Sequence, residues 1–236
     1  MARTLVIIPT YNEIENLPKL LERIEATKLG VDVMVVDDGS PDGTGQWVKD
    51  QLDKRKYLHL IQREGKQGLG SAYVRGFRFA VEHGYDFVFE MDADFSHDPD
   101  HLHLFLEEIQ TQDLVLGSRY IKGVTVINWP MSRLLLSYFA NAYARWATGL
   151  PVQDTTGGYK CFRVSALKTL DLSKIRSDGY SFQIEVTYKL WKKGVRIQEI
   201  PIIFMDRTAG VSKMSSKIIK EALFLLIRLR FMGGSA

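Results

Sequence analysis

The sequence predicts an α/β fold in which a mostly parallel sheet is flanked by helices. Short apolar runs of strand length alternate along the chain with segments whose apolar residues recur at helical spacing. Acidic residues close two of these runs, and open α/β sheets bind ligands at the carboxyl ends of their strands. With 236 residues, 45% of them hydrophobic and 25% charged, the chain is long enough to form one such domain.

The first half of the chain supplies the clearest alternation of strands and helices. Apolar runs of four to six residues precede turn-forming residues, and the intervening segments repeat apolar residues at helical spacing. We predict strands at residues 5–8, 31–36, 58–62 and 87–91, and helices at residues 12–24, 46–52 and 70–82.

The second half continues the pattern with longer helices. We predict helices at residues 99–110, 130–148 and 182–192, strands at 113–117 and 197–204, and a final basic, apolar helix at about 215–230. No stretch reaches the roughly 18 to 20 apolar residues that a bilayer crossing needs. We therefore expect any membrane contact to be peripheral.

Charge and cysteine content limit the binding partners and the cellular compartment that the sequence predicts. A net charge of +3 is too small to indicate nucleic-acid binding, although basic residues gather near the C-terminus and favour an anion or lipid surface. The single Cys161 excludes an intrachain disulfide and favours a reducing compartment. Because the N-terminus has no signal-peptide core, we expect a cytoplasmic protein bound to the cytosolic face of a membrane.

The strongest candidate site is the acidic pair Asp92 and Asp94, which closes the predicted strand 87–91. Side chains two residues apart in an extended chain point the same way, so both carboxylates can grip one hard cation or one polar ligand. Asp also ends strands simply by turning the chain. A second acidic strand end, Asp37 and Asp38, shifts the balance towards a ligand site.

The loop after the first strand carries Pro9, Tyr11 and Glu13. An aromatic ring there can lie along a base, and a carboxylate can accept hydrogen bonds from base N–H groups, which guanine offers. Asp38 is placed to bond a base or ribose. The structural alternative for both loops is a plain turn that leads into a helix.

The predicted helix 130–148 has one polar stripe on an otherwise apolar surface. Arg133, Ser137, Asn141 and Arg145 recur at every fourth position. Such a helix suits a membrane interface, with Arg133 and Ser137 holding a phosphate at headgroup level. The apolar residues expected to enter that boundary are Leu134, Leu135, Tyr138, Phe139, Tyr143 and Trp146. Burial by a neighbouring element is the alternative.

Motifs along the whole chain resemble the polyprenol (dolichyl) phosphate mannose synthases, inverting nucleotide-sugar glycosyltransferases of the A type. The later ones are Gly117-Ser118-Arg119-Tyr120, Asn128-Trp129-Pro130 with Arg133, the run from Asp154 to Tyr159, and the run from Arg207 to Lys213. The resemblance implies a Rossmann-like glycosyltransferase A fold in a single domain, 1–236. Residues 1–125 would be mainly the nucleotide-sugar half, and 126–236 the acceptor and membrane-interface half.

The resemblance also implies roles for individual residues. The guanosine contacts would be Pro9, Tyr11, Glu13, Val36 and Asp38. The diphosphate and mannose would face Asp92, Ala93 and Asp94, with Asp94 holding Mg²⁺ or Mn²⁺ and Arg207 and Lys213 as cationic contacts. The lipid phosphate would be held by Arg119, Arg133 and Ser137, so that the catalytic residues are Asp94, Arg119 and Arg133. Ser96 stands where some relatives carry Gln, and a hydroxyl is a weaker metal ligand.

The implied reaction transfers mannose from GDP-α-mannose to polyprenyl or dolichyl phosphate with inversion, giving a β-linked product. The implied partners are these two substrates, a membrane surface and a possible membrane-anchoring subunit, without nucleic acid. The alternatives are a UDP-sugar donor such as UDP-glucose, or a non-catalytic sugar-nucleotide-binding subunit. Transfer to a hydroxyl would need a carboxylate base, for which Asp154 is the candidate; otherwise Asp154 binds a sugar hydroxyl or forms a turn.

Overall fold

A seven-stranded sheet forms the centre of the computed structural model, which describes residues 2–205. The described strands are β1 (Thr4–Thr10), β2 (Asp32–Asp37), β3 (Leu58–Gln62), β4 (Phe87–Glu90), β5 (Leu114–Ser118), β6 (Val126–Ile127), β7 (Lys160–Arg163), β8 (Ile197–Pro201) and β9 (Phe204–Met205). Their order across the large sheet is β3-β2-β1-β4-β7-β5-β8, and β6 pairs with β9 in a small separate sheet. Neighbouring strands of the large sheet are parallel except at β7, which is antiparallel to both β4 and β5.

Helices cover both faces of this sheet, as the predicted fold class requires. They are α1 (Leu17–Ala26), α2 (Thr44–Gln51), α3 (Leu69–Glu82), α4 (Leu102–Glu108), α5 (Met131–Thr148), α6 (Val164–Leu167) and α7 (Gly179–Lys192). Short 3₁₀ turns form at Pro99–His101 and Leu172–Lys174. Among residues 2–205, no helix combines the length and the apolar character that a bilayer crossing requires.

The two faces of the sheet bury separate apolar clusters because alternate strand residues point to opposite sides. Val6 and Ile8 of β1 pack with α1 and α4, whereas Leu5 and Ile7 pack with α3 and α7. Helix α3 lies so close to β1 that a Cβ on Gly76 would stand 2.4 Å from the Ile7 side chain. Strands buried on both faces explain the continuous apolar runs of the sequence.

The structure departs from the prediction at β7, at residues 197–204 and at the start of α1. Strand β7 was not predicted, because its sequence Lys-Cys-Phe-Arg has charges at both ends and presents no apolar run. The predicted strand 197–204 divides at Pro201, and Phe204 pairs instead with β6. Helix α1 begins at Leu17 rather than at residue 12, because Asn12 has a positive φ of 62° and residues 11–16 form a turn.

Candidate active site

The loops after β1 and β2 are tied together at the carboxyl edge of the sheet. Pro9 and Val36 are paired residues of the two strands. The backbone N–H of Glu13 donates to Thr44 Oγ1 at 3.0 Å, and the left-handed backbone of Asn12 lets the chain turn towards that contact. The structure therefore brings the residues predicted to contact the nucleoside onto neighbouring loops.

Asp38 forms a buried ion pair with Arg63, which follows β3. The Arg63 side chain is 1% exposed and that of Asp38 is 9% exposed. The backbone N–H of Gln67 also donates to Asp38 Oδ2 at 3.2 Å. Sequence reasoning missed Arg63, although it follows a predicted strand and so lies at the same edge as Asp38. The carboxylate predicted to bond a base or ribose is thus held in place by a buried guanidinium.

The glycine-rich loop 65–70 leads into α3 and does not act as a phosphate cradle. The backbone N–H of Gly70, in the first turn of α3, already donates to Asp178 Oδ1 at 2.8 Å. A carboxylate thus occupies the position that a phosphate would take at this helix N-terminus. The same loop places the Lys66 ammonium 4.0 Å from the centre of the Tyr11 ring, beside the predicted base position.

The acidic pair lies in a closed turn after β4. Asp94 Oδ1 accepts the backbone N–H of Ser96 at 3.1 Å, and Phe95 has a positive φ of 62°. The backbone N–H of Asp92 donates to Nδ1 of His97 at 3.0 Å, so the neutral ring carries its proton on Nε2. Burial lowers the pKa of His97 and keeps it neutral. His97 therefore fixes the turn that presents the carboxylates.

The donor set of this turn fits a divalent cation that also binds a diphosphate. No group of three or more His, Cys, Asp or Glu side chains suited to a metal occurs within residues 2–205. Mg²⁺ is usually held by one or two carboxylates, with substrate phosphates and water completing its coordination. Asp94, with Asp92 beside it, supplies the number of protein ligands that this kind of site needs.

A buried pair of ionisable residues lies beneath the acidic turn. Glu90 and Lys160 face each other across β4 and β7, and both are 0% exposed. Lys160 Nζ donates to Gln183 O at 2.9 Å, Gln183 Oε1 at 2.5 Å and Thr187 Oγ1 at 2.9 Å. Neither carboxylate oxygen of Glu90 is hydrogen-bonded to a described residue. Burial raises the pKa of Glu90 to about 7 and lowers that of Lys160 to about 8.

Arg119 and Asp154 form a bidentate ion pair at the end of β5. Arg119 Nε and Nη2 each donate to a different oxygen of Asp154 at 2.6 Å, and the Arg119 backbone N–H donates at 3.1 Å. Burial opposes ionisation of Asp154, but the charge and hydrogen bonds of Arg119 outweigh it and lower the pKa of Asp154. Asp154 is 0% exposed, so it holds the Arg119 guanidinium rather than reaching a ligand.

The residues predicted to hold the acceptor phosphate gather around Trp129 and Tyr120. The guanidinium carbons of Arg119 and Arg133 lie 5.5 Å and 4.1 Å from the centre of the Trp129 ring. The hydroxyl of Tyr120 donates to Ser137 Oγ at 2.7 Å. The structure thus brings Arg119, Arg133 and Ser137 into one cluster.

Phe204 and Gly158 connect this arginine cluster to the acidic turn. The Phe204 ring centre lies 5.9 Å from that of His97 and 5.4 Å from the Arg119 guanidinium carbon. A Cβ on Gly158 would stand 3.4 Å from His97 Cε1, so the loop before β7 packs directly on the turn. The two clusters therefore belong to one site at the carboxyl edge of the sheet.

Helix α5 presents the polar stripe inwards and an apolar face outwards. Asn141 is 2% exposed, and its Oδ1 accepts both the backbone N–H and the hydroxyl of Thr155 at 2.8 Å. On the other side, Met131 is 66% exposed and Phe139 is 63% exposed. The exposed apolar residues on α5 are Met131, Leu135, Leu136, Tyr138, Phe139 and Trp146. Leu134 and Tyr143, also predicted to enter the boundary, are half-buried.

The remaining predicted cations lie outside the described residues. These are Arg207 and Lys213, together with the predicted helix 215–230. The roles assigned to them from the sequence stay predictions.

Comparison with known proteins identifies the family. The model of "Glycosyl transferase family 2" matches residues 5–171, which span β1 to β7 and both halves of the site. The chain belongs to this family. The acidic turn, Arg119, Arg133 and Asp154 all fall within the matched region.

Curated relatives within this family carry related names. The undecaprenyl-phosphate mannosyltransferase of Micrococcus luteus is 46% identical over 96% of this chain and 93% of its own length. The polyprenol monophosphomannose synthase of Mycolicibacterium smegmatis is 46% identical over 94% of this chain and 84% of its length. The dolichol-phosphate mannosyltransferase of Pyrococcus furiosus is 38% identical over 95% of this chain and 62% of its length. The resemblance predicted from the motifs is confirmed.

Solved structures confirm the predicted fold. Glucosyl-3-phosphoglycerate synthase from Mycobacterium tuberculosis superposes with a TM-score of 0.67 at 17% identity, covering 96% of this chain and 79% of that protein. A mannosyltransferase from Pyrobaculum calidifontis, in complex with GDP-Man and Mn²⁺, gives a TM-score of 0.59 at 19% identity, covering 98% and 70%. At these identities the likeness shows the fold alone.

Proposed function

We propose that this chain transfers mannose from GDP-α-mannose to the phosphate of a polyprenyl phosphate, with inversion at the anomeric carbon. The observation that carries the proposal is the union of two clusters in one site. The acidic turn is suited to a diphosphate-bound cation, and the arginine cluster is suited to a second anion. Phe204 contacts both, through His97 of the turn and Arg119 of the cluster. The names of relatives 46% identical to the chain support the same donor sugar and acceptor class.

The donor half of the proposal rests on three loops. The base lies against Tyr11, with Glu13 and Asp38 as acceptors for its N–H groups. Arg63 orients Asp38 through a buried ion pair. The Lys66 ammonium lies over the face of Tyr11, next to the proposed base position. Pro9 and Val36 are paired strand residues that bring these loops together, and Val36 itself is fully buried.

The cation would be held by Asp94, with Asp92 facing the diphosphate. A bound Mg²⁺ or Mn²⁺ supplies charge that stabilises the departing nucleoside diphosphate. His97 holds the turn closed through the Asp92 backbone, and Tyr73 donates to Asp92 Oδ1 at 3.4 Å. The protein thus fixes the orientation of both carboxylates before the donor binds.

The acceptor half rests on the arginine cluster. A phosphate monoester is largely dianionic near neutral pH, because its second pKa is about 6. It needs no protein base, and the task of the protein is to hold two anions in line despite their repulsion. Arg133 and Ser137 are placed to hold the acceptor phosphate, while Arg119, paired with Asp154, packs behind them against Trp129.

The state of Asp154 argues against transfer to a hydroxyl acceptor. A general base must reach the proton that it removes. Asp154 is 0% exposed and bonded by Arg119 through both of its oxygens. The candidate base is therefore committed to a positioning role, which favours an acceptor that is already ionised.

The exposed face of α5 supports peripheral binding to a membrane surface. Apolar residues on an interfacial helix enter the boundary between headgroups and acyl chains. Apolar residues of the small sheet of β6 and β9 are also exposed, with Ile127 at 42% and Met205 at 47%. Because the helix also carries Arg133 and Ser137, docking this face would bring the lipid phosphate to the site.

A radiolabelled donor assay tests the proposal. Labelled GDP-mannose, a polyprenyl phosphate and Mg²⁺ or Mn²⁺ are incubated with the protein, and mannolipid is measured after organic extraction. We expect product from GDP-mannose and little from UDP-glucose. Asp94→Ala should abolish turnover, since it removes the proposed metal ligand.

Asp53→Ala provides the matched control, because Asp53 is an exposed residue after α2. It should turn over like the unchanged protein. Wild-type rates in Asp94→Ala would reject the metal assignment, and product from UDP-glucose alone would reject the donor.

A further inference from the structure

A cavity of about 260 Å³ lies between α5 and the loop after β5, beside the proposed acceptor site. Its lining residues are Tyr120, Gly123, Val124, Tyr138, Asn141, Arg145 and Gln153. We propose that this cavity is a second phosphate-binding site, in which Arg145 holds the phosphate of a neighbouring lipid. Arg133 and Ser137 do not line the cavity, although Tyr120 in its wall donates to Ser137, and binding there does not depend on the sugar donor or on turnover.

The charge of Arg145 is the first argument. Its Nη1 donates to the side-chain oxygen of Gln153, which is neutral. Within residues 2–205, no carboxylate lies within ion-pair distance of Arg145, and its Nε and Nη2 donate to no described acceptor. Arg119, by contrast, is fully paired with Asp154. Of the two guanidinium groups, Arg145 is the one whose charge no neighbouring residue offsets.

The support of Arg145 is built into the sheet. Glu199 of β8 accepts the backbone N–H groups of Gln153 at 2.7 Å and Asp154 at 2.9 Å. The adjacent residues Gln153 and Asp154, both anchored by Glu199, therefore bind Arg145 and Arg119 respectively. A guanidinium whose partner is fixed in this way is oriented in advance for a planar, bidentate contact with phosphate oxygens.

The position and size of the cavity favour a lipid phosphate. Tyr138 is 50% exposed, and the neighbouring Phe139 is 63% exposed, so the cavity borders the apolar face of α5. An interfacial helix places such residues at the level of the lipid headgroups. A water molecule takes up about 30 Å³, so the cavity has room for a phosphate group with several waters.

Vesicle flotation and thermal shift test the site on the full chain. Flotation compares phosphatidylcholine vesicles with and without phosphatidylglycerol, and thermal shift measures the response to inorganic phosphate. We expect phosphatidylglycerol to increase binding of the unchanged protein. Arg145→Gln should reduce that increase about fivefold, the usual effect of one basic residue near an anionic surface.

Two further variants separate charge from packing. Gln153→Glu keeps Arg145 but gives it a carboxylate partner, so it should lose the response as Arg145→Gln does. Arg78→Gln removes an exposed charge from the last turns of α3, which lead to the opposite edge of the sheet, and it should respond like the unchanged protein.

The outcomes distinguish the sources of the phosphate. A response to phosphatidylglycerol alone, lost in Arg145→Gln, assigns the site to lipid. A rise in melting temperature with inorganic phosphate, also lost in that variant, shows that free phosphate binds there too. If Arg145→Gln matches the unchanged protein in both arms, the cavity holds only water and the proposal is wrong, whatever the mannolipid assay gives.

Discussion

Replacing Asp154 with Asn should destabilise the protein strongly, because it leaves the Arg119 charge buried without a partner. The Arg119 and Asp154 side chains are 5% and 0% exposed, and two contacts of 2.6 Å join them. Removing one partner of such a pair costs about 3–5 kcal/mol. With an unfolding entropy of about 2 cal/mol/K per residue, a chain of 236 residues should lose about 6–10 °C in melting temperature.

The assay is urea or thermal unfolding of four proteins, namely the unchanged chain, Asp154→Asn, Arg119→Met and the double variant. If the pair acts as a unit, the double variant should lose much less stability than the sum of the single losses. Additive losses, or a loss below about 1 kcal/mol in Asp154→Asn, would refute the reasoning.

The same pair makes stability depend on acid pH. The pKa of Asp154 in the folded chain lies below its ordinary value of 3.8. The stabilisation is therefore fully present above that ordinary value, and it is lost as pH falls towards the folded pKa. Asp154→Asn should unfold with a weaker dependence on pH in this acidic range, measured by unfolding at a series of pH values.

Three further predictions concern other parts of the site. Arg133→Ala should raise the KM for polyprenyl phosphate about tenfold or more and leave GDP binding unchanged, because it removes a charge-assisted hydrogen bond worth about 1.5–3 kcal/mol. A variant whose KM for polyprenyl phosphate equals that of the unchanged protein would contradict this. Phe139→Ser should weaken flotation with neutral vesicles by about 1–3 kcal/mol, while Leu104→Ser on α4 should not. Glu90→Gln should gain stability relative to the unchanged chain as the pH rises from 4.5, the ordinary pKa of Glu, past about 7, the pKa of buried Glu90. The reason is that ionising the buried carboxyl costs the unchanged chain up to about 3 kcal/mol. A difference in unfolding free energy that stays constant over this pH range would contradict the prediction.

The sequence predicted the parallel part of the fold well. Strands β1 to β4 are apolar runs that local pattern reveals, and acidic residues mark where β2 and β4 end. Strand β7 escaped prediction because Lys160 is buried and donates three hydrogen bonds to distant residues on α7, which no local pattern shows. Its partners β4 and β5 are also remote in sequence, so only tertiary pairing defines it.

The site was predictable in its composition but not in its pairings. Carboxyl-edge reasoning predicted Asp38, Asp92 and Asp94 at the edge of the sheet where the structure has them, whereas the partner of Asp154 could not be inferred. That partner, Arg119, is 35 residues away, and the ion pair forms only because β5 and the loop before β7 meet. The sequence correctly predicted that α5 has one polar stripe. Asn141, a member of that stripe, points inwards and accepts a hydrogen bond from Thr155 instead of facing a lipid.

The reversed direction of β7 decides which connection reaches the carboxyl edge of the parallel strands. A parallel strand between β4 and β5 would place the segment that follows it at this edge. Because β7 is antiparallel, the segment that precedes it, residues 150–159, lies there instead. Helix α5 is thereby joined to this edge by only a short span of chain. That span also contains Asp154, which pairs with Arg119, and Gly158, which packs on His97, so a change in its length would displace α5 and the acidic turn together.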